Sequence, residues 1–464
     1  APPAPLALPT PLTLPQALAL ALRQQPQQYL ARTQVTQAQG QKLQAQSQYF
    51  PVLTPSYQYQ NTSNALYGVG SGGFTTITTT GAGTGGTTTT GTGTTTGTAG
   101  TTTVVQAPTN EVSIVRGGGL SVSLSQTLFD TGQREAANTE ARRAVEAAEE
   151  NNRGTRQTII LNVTQDYYQL LLNRDLVKVA QAQVARYQQT VDVTQAQIDA
   201  GTTAAKDIYQ AKSDLANAQV TLLNNYNAVQ TASATLKNAI GINLNGVVEI
   251  APLTPGDQLP PVPSPGQSLS LDNAMTAAFA ERPDVRQQQA VVQSDAAALR
   301  LARSQAGLSV KGDYVLNYQA TNDVGTRGVN SQFLVSGSYP LFDAGLARGA
   351  VRIAQAARDG ALDQLELVRQ QVRLDVEQAY STRQTNLDAA GLAQAAITAA
   401  QVNYDAVIAS RKEGIGTVLD ITTAQATLTQ AQSQYVSAVY NFYIADAQLQ
   451  RAIGRNDAAL PPVR

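Results

Sequence analysis

The residues able to do chemistry in this chain are few in kind. Among its 464 residues there is no Cys, no His and no Trp. A disulfide framework, Cys or His metal sites and every His-based triad or acid–base pair are therefore excluded. What remains is carboxylate chemistry, with 33 Asp and Glu against 32 Lys and Arg and a formal net charge of -1. Four aspartates stand out because they recur in matched settings. Asp130 and Asp343 lie in LFDTG (Leu128 to Gly132) and LFDAG (Leu341 to Gly345), while Asp207 and Asp420 lie in AGTTAAKDI (Ala200 to Ile208) and EGIGTVLDI (Glu413 to Ile421). For Asp207 and Asp420 one ordinary reading is a carboxylate near a helix start, where it complements the positive end of the macrodipole. Nothing around these residues marks a substrate pocket, so a carboxylate-dependent hydrolase has no support beyond composition.

The elements that would position these residues come in pairs. From Leu120 to Ser125, Leu120, Val122 and Leu124 alternate with Ser121, Ser123 and Ser125. That period of two sends alternate side chains to one face of a strand. After Phe129, Asp130 and Gly132 comes an Ala/Glu/Gln/Arg-rich run that favours a helix. The same junction returns at Phe342, Asp343 and Gly345. Leu14 matches Leu271 and Pro26 matches Pro283 at an offset of 257 residues. Beyond the junction the offset is 213, carrying Phe129 to Phe342, Gly201 to Gly414, Asp207 to Asp420 and Gly241 to Gly454. The chain is built twice, with a 44-residue insertion in the first copy between Tyr59 and Leu120.

The insertion holds a tract, Thr75 to Thr103, made almost wholly of Thr and Gly. It has too little apolar surface to offset the entropy of ordering and reads as a flexible solvated loop. The loop joins strands predicted at about 51–67 and 111–129; the second copy has strands at about 308–320 and 330–342. Leu53, Tyr57 and Tyr59 share a face of the first, and Leu308, Val310, Tyr314, Leu316 and Tyr318 a face of the third. Tyr49, Tyr57, Tyr59, Tyr314, Tyr318 and Tyr339 fit either an aromatic belt at a membrane boundary or plain strand packing. Strands of this length with one apolar face suit a bilayer crossing, and nothing else in the chain offers that face a partner. Four strands cannot close a barrel and lipid tolerates no open edge, so oligomerisation is expected. No run of about 18 apolar residues exists, so no helix is expected to span a bilayer. With 14% charged residues, no basic surface for nucleic acid is implied.

Long helices are predicted at 130–200 and 204–240, and again at 343–413 and 417–453. Val163, Leu170, Val177, Val184, Val191 and Ile198 recur every seven residues, a coiled-coil seam. The longest helices would run about 100 Å. The helices break at Gly201-Thr202-Thr203 and at Gly414-Ile415-Gly416. The first repeat thus covers 1–241, a Pro-rich connector 242–268, the second repeat 269–454 and a short tail 455–464. This is an α+β membrane protein built from a duplicated helix-strand-strand-helix unit.

The paired LFDTG and LFDAG junctions, the paired breaks AGTTAAKDI and EGIGTVLDI, and the helix-closing NAIG and RAIG at Gly241 and Gly454 resemble the TolC-like outer-membrane efflux protein family from Leu12 to Gly454. The resemblance implies a homotrimer whose three chains give a 12-stranded β-barrel in outer-membrane lipid and a long coiled-coil α-barrel through the periplasm. It implies a passive exit duct of a tripartite efflux or type I secretion system. Such a duct has no cofactor and no enzymatic step, and it is reached through a periplasmic adaptor and an inner-membrane pump. A signal peptide is expected to have been removed already. The helix-break tips, at Gly201, Thr202, Thr203, Gly414 and Ile415, would dock the adaptor. Asp420 and Asp207, with Gly416 and Thr423, would stand at the periplasmic gate, where a ring of like charges favours a bound cation. The sequence departs from the family where better-known members carry a second aspartate, here Thr423, and a basic latch, here Gly416. A two-ring acidic gate is therefore not expected. The rival reading is a trimeric coiled-coil surface stalk or adhesin, which explains the heptads but not the duplication or the paired hairpins.

Overall fold

The computed structural model describes residues 11–69, 73–79, 112–201, 204–242, 248–253, 259–264, 270–321, 327–413 and 417–456. Each copy opens with two helices meeting at a proline: α1 (Leu14–Gln24) and α2 (Pro26–Ser47), then α5 (Leu271–Glu281) and α6 (Pro283–Ser304). Proline suits the first turn of a helix, where its missing N–H costs nothing, and it holds the preceding residue extended. Gln25 and Arg282 are extended accordingly, with ψ 121 and 129. The strands are β1 (Val52–Val69), β2 (Gly73–Thr79), β3 (Val112–Phe129), β4 (Ser309–Thr321) and β5 (Arg327–Ser338). The long helices are α3 (Gln133–Asp199), α4 (Asp207–Ile240), α7 (Leu346–Lys412) and α8 (Val418–Ile453). At 67 residues each, α3 and α7 are roughly 100 Å long. Among the described residues no helix is long and apolar enough to cross a membrane.

The chain folds into two compact units that cut across the sequence repeats. One comprises 1–42, 139–297 and 354–464; the other comprises 43–138 and 298–353. Each unit draws residues from both copies, so the duplicated halves are not separate bodies.

The second unit is an antiparallel sheet in the order β2-β1-β3-β4-β5. Four strands run together, and their register builds one apolar face. Leu53, Leu124, Tyr314 and Phe333 form one row across β1, β3, β4 and β5; Tyr57, Leu120, Tyr318 and Val329 form another. Between them lie Pro55, Val122, Leu316 and Ser331. The opposite face carries rows such as Ser56, Ser121, Asn317 and Asn330. The apolar face is exposed, with Tyr57 70% and Phe333 69% accessible.

β2 corrects the reading of Thr75 onward as loop, since Thr75–Thr79 is strand. It pairs with Ser63–Val69 of β1, beyond the last β3–β4 pair at Gly117 and Thr321. Phe74, Ile77 and the β-branched threonines suit an added strand, and the projecting edge of β1 supplies a template. The four-strand band itself is unchanged. The rest of the Thr/Gly tract, 80–103, lies outside the described residues.

The first unit is helical. Val163, Leu170, Val177 and Val191 of the heptad are buried, and Val163 and Leu170 join a cluster with Leu18, Leu22, Leu236, Ile240 and Tyr440. The Tyr440 hydroxyl donates to the Asp175 carboxylate at 2.6 Å; burial and that neighbouring carboxylate push the phenol pKa well above its ordinary value. Described parts of the connector are pinned by side chains. Tyr167 donates to the carbonyls of Leu12 and Ala251, Arg174 to Ile250 and Tyr435 to Pro260.

Gly241 and Gly454 close α4 and α8 in the left-handed region, with φ 81 and 87. A Cβ at Gly241 would stand 3.2 Å from the backbone of Gln24 and Gln25; at Gly454 it would stand 2.9 Å from the backbone nitrogen of Arg282. The two breaks are further tied down by equivalent contacts. Gln25 donates to the carbonyl of Ala239 at 2.9 Å and Arg282 to that of Ala452 at 3.4 Å. The buried Arg282 guanidinium also binds Asp284 at 2.6 Å and Asp375 at 3.0 Å. Alanine at either glycine combines an unfavourable φ with a backbone clash. Gly454→Ala is expected to destabilise by more than ~1 kcal/mol and Gly241→Ala by less, read as the shift in urea midpoint.

Candidate functional site

The strand-to-helix junctions are capping devices. At the first, Asp130 accepts the backbone N–H of Gly132 at 3.2 Å and of Arg134 at 3.1 Å. At the second, Asp343 accepts those of Gly345 at 2.9 Å and Ala347 at 2.8 Å. Each carboxylate satisfies N–H groups that the first turn of its helix cannot. The chain turns through two successive left-handed residues, Thr131 and Gly132 at φ 54 and 88, then Ala344 and Gly345 at φ 50 and 93. Glycine adopts that conformation without a side-chain penalty, hence Gly132 and Gly345. These backbone donors hold the Asp343 carboxyl below its ordinary range. Only the first copy adds Arg134, whose guanidinium binds Asp130 at 2.6 Å and the Thr127 carbonyl at 2.9 Å. Phe129 and Phe342 are exposed.

The helix breaks differ between copies. Asp420 is the third residue of α8, and its carboxylate accepts the backbone N–H and the hydroxyl of Thr417 at 2.8 and 2.7 Å. The Thr417 hydroxyl oxygen in turn accepts the Asp420 N–H at 3.2 Å. This reciprocal box holds the exposed Asp420 carboxyl below its ordinary pKa. Its equivalent, Asp207, is the first residue of α4 and follows Lys206, which makes no side-chain cap. The cause is one residue: Ala204 stands where Thr417 stands and has no hydroxyl to offer. Gly201 ends its helix at φ 70 with its N–H on the Ile198 carbonyl. Thr202, Thr203, Gly414, Ile415 and Gly416 lie outside the described residues.

The tips therefore present one capped and one uncapped carboxylate rather than two equal ones. Thr423 is exposed on α8, and its carbonyl accepts the Thr427 hydroxyl at 2.9 Å. Tyr209 and Leu419, in the first turns of α4 and α8, are exposed at 74% and 67%. Farther along, α8 meets α3 through polar side chains. Buried Gln425 donates to the Thr190 hydroxyl at 2.9 Å, and Arg186 donates to that of Thr429 at 3.0 Å. Sequence reading passed over Thr417 although its spacing to Asp420, just before an apolar run, is a capping signature. Nothing in sequence marked Arg186, whose partners lie over 200 positions away.

The family model described as "Outer membrane efflux protein" matches residues 17–242 and 274–455. The outer membrane protein TolC of Escherichia coli is 26% identical over 351 residues, covering 72% of this chain and 69% of the relative. The outer membrane efflux protein BepC of Brucella suis is 27% identical over 352 residues, covering 74% and 73%. The solved structure of CusC superposes with a TM-score of 0.75 at 15% identity, over 95% of this chain and 92% of the other, and so shares the fold.

Because Asp420 has a depressed pKa in the fold, its cap is present above the ordinary carboxylate range and lost as pH falls through the depressed value. Protection of the Asp420 backbone N–H, taken relative to its intrinsic exchange rate at each pH, is expected to hold down to about pH 4 and to decline below it. Thr417→Ala should speed that exchange roughly fivefold at neutral pH, for a cap worth about 1 kcal/mol. Ala204→Thr should create the same box at Asp207 and slow exchange there. Equal exchange in Ala204→Thr and wild type would refute this account of the asymmetry.

Proposed function

The chain belongs to the outer membrane efflux protein family, and on that premise we propose that three copies close into a single duct, the passive exit of a tripartite efflux or type I secretion system. The observation that carries this is the four-strand apolar face with two open edges. β5 has no strand on its outer side among the described residues, and β1 has none from Val52 to Thr62. In lipid such edges are untenable. The band is antiparallel and even in number, so β5 of one copy meets β1 of the next in antiparallel sense all around the ring. Three copies give 12 strands, enough to close. β2 lies beyond the shared band and does not obstruct most of that edge.

The helices of such a trimer would continue the duct, with no chemistry performed along it. Tyr209 and Leu419 give the tips an apolar surface for a periplasmic adaptor, which would link the duct to an inner-membrane pump. Asp420 would stay ionised at neutral pH, its carboxyl being held low by Thr417. Three such charges in a narrow passage would favour cations. Asp207 would add to the same field. A surface stalk would leave the exposed apolar sheet face without a purpose.

Conductance of the purified protein across a planar bilayer tests this reading. Small cation-selective openings are expected, with Asp420→Ala lowering the cation preference at low salt, where screening is weak. Absence of conductance from adaptor-bound protein would defeat the duct. The sheet offers a second check. Val122→Arg, on the apolar face, should cost about 2–4 kcal/mol of barrel stability, while Ser121→Arg on the other face should cost little. Heat-modified gel mobility of the membrane-inserted protein reads the difference.

A further inference from the structure

The polar face of the sheet carries a cation that the fold leaves unpaired. Lys311 stands on β4 between Thr127 of β3 and Ser336 of β5, so no carboxylate lies opposite it. Among the described residues it forms no salt bridge. Asp313 is two residues along the same face, about 7 Å of strand away, and makes no ion pair with it.

Lys311 lines a cavity of about 390 Å³ where β1, β3 and β4 meet the first turn of α3. Most polar groups in its wall already have partners. Asp130 and Arg134 neutralise each other at 2.6 Å, and the Gln133 amide donates to the Ser304 carbonyl at 3.2 Å. The Lys311 ammonium and the Gln48 amide are left without acceptors among the described residues. Phe50 and Val52 add an apolar wall, 69% and 56% exposed. The backbone does not demand this combination. At the second junction Leu346 and Ala347 stand for Gln133 and Arg134, and in the first copy Thr54 stands where Lys311 does in the second.

We propose that this cavity binds a water-soluble amphiphilic carboxylate, its acid group on the Lys311 ammonium and the Gln48 amide and its apolar body on Phe50 and Val52. A single unpaired ammonium matches one negative charge, and the apolar wall favours an organic acid over a bare inorganic anion. The volume falls in the range of small-molecule pockets, about 300–1,000 Å³. The occupant is a solute and not a lipid, because Val52, Ser125, Thr127 and Lys311 lie on the face opposite the apolar one. On the duct reading that face lines the passage. The inference rests on that reading for the place of the site on the route of a cargo, whereas binding itself does not depend on it.

The test compares binding of 2-naphthylacetate with that of its uncharged amide. Both affinities come from saturation-transfer NMR on the purified protein in nanodiscs, with empty nanodiscs subtracted. The acid is expected to bind at least about tenfold more tightly, as a hydrogen bond to a charged group implies. Lys311→Gln should abolish that preference and Lys311→Arg should retain it. Phe50→Ala should weaken acid and amide alike, about fivefold. Lys212→Gln, at an exposed lysine of α4, should change neither. A preference that survives Lys311→Gln, or that Lys212→Gln removes equally, would overturn the site, as would affinities unmoved by Phe50→Ala. Conductance without binding would overturn the site and spare the duct. Binding without conductance would uphold the site and defeat its place on a passage.

Discussion

Lipid offers no hydrogen bonds, and the rest of this structure depends on that constraint. A strand in a bilayer must give every N–H and C=O a partner on both sides, or its edge carries a cost of several kcal/mol per group. The four-strand band has an apolar face for lipid but open edges at β1 and β5. Four strands cannot close a membrane barrel, so in the proposed duct closure passes to neighbouring copies. The junctions at Asp130 and Asp343 then convert each returning strand into a helix, with three residues between β3 and α3 and seven between β5 and α7. They do so by satisfying the first helical N–H groups with a carboxylate and turning the backbone through a left-handed pair.

Duplication gives the two copies the same skeleton and leaves their side chains free to diverge. Thr417 caps α8 while Ala204 leaves α4 uncapped. Arg134 braces the first junction while Ala347 leaves the second with backbone donors only. Gln25 and Arg282 occupy the same break and reach equivalent carbonyls, but the arginine also recruits Asp284 and Asp375. Each difference sits on a backbone feature common to both copies. The physics of helix ends holds the positions in place, and the side chains there have taken different work.

The core of the helical unit combines many alanines with Val, Leu and Ile gathered in clusters, interspersed with hydrogen-bonded groups such as Gln425, Thr190 and Tyr440. Small side chains bring the helices close. Side-chain hydrogen bonds in a partly buried setting add directionality that apolar contact lacks. Truncating one partner of such a pair leaves the other unsatisfied, which costs more than the bond itself contributes.

Much of this protein was legible in one dimension. The offsets of 257 and 213 exposed the duplication, the heptads from Val163 to Ile198 marked the buried stripe of α3, and alternation in β1, β3 and β4 assigned the apolar face. These signals are periodic and local, so sequence carries them in full. Pro26, Pro283, Gly241 and Gly454 fixed helix ends for the same reason, since their backbone preferences act on adjacent residues. Only the tertiary structure decided that β2 adds to β1, because that pairing depends on an edge left free by strands from both copies. It alone placed Gly454 against the backbone of Arg282 and tied Arg186 to Thr429. Those outcomes turn on contacts between residues far apart in the chain, and no periodicity in the sequence records them.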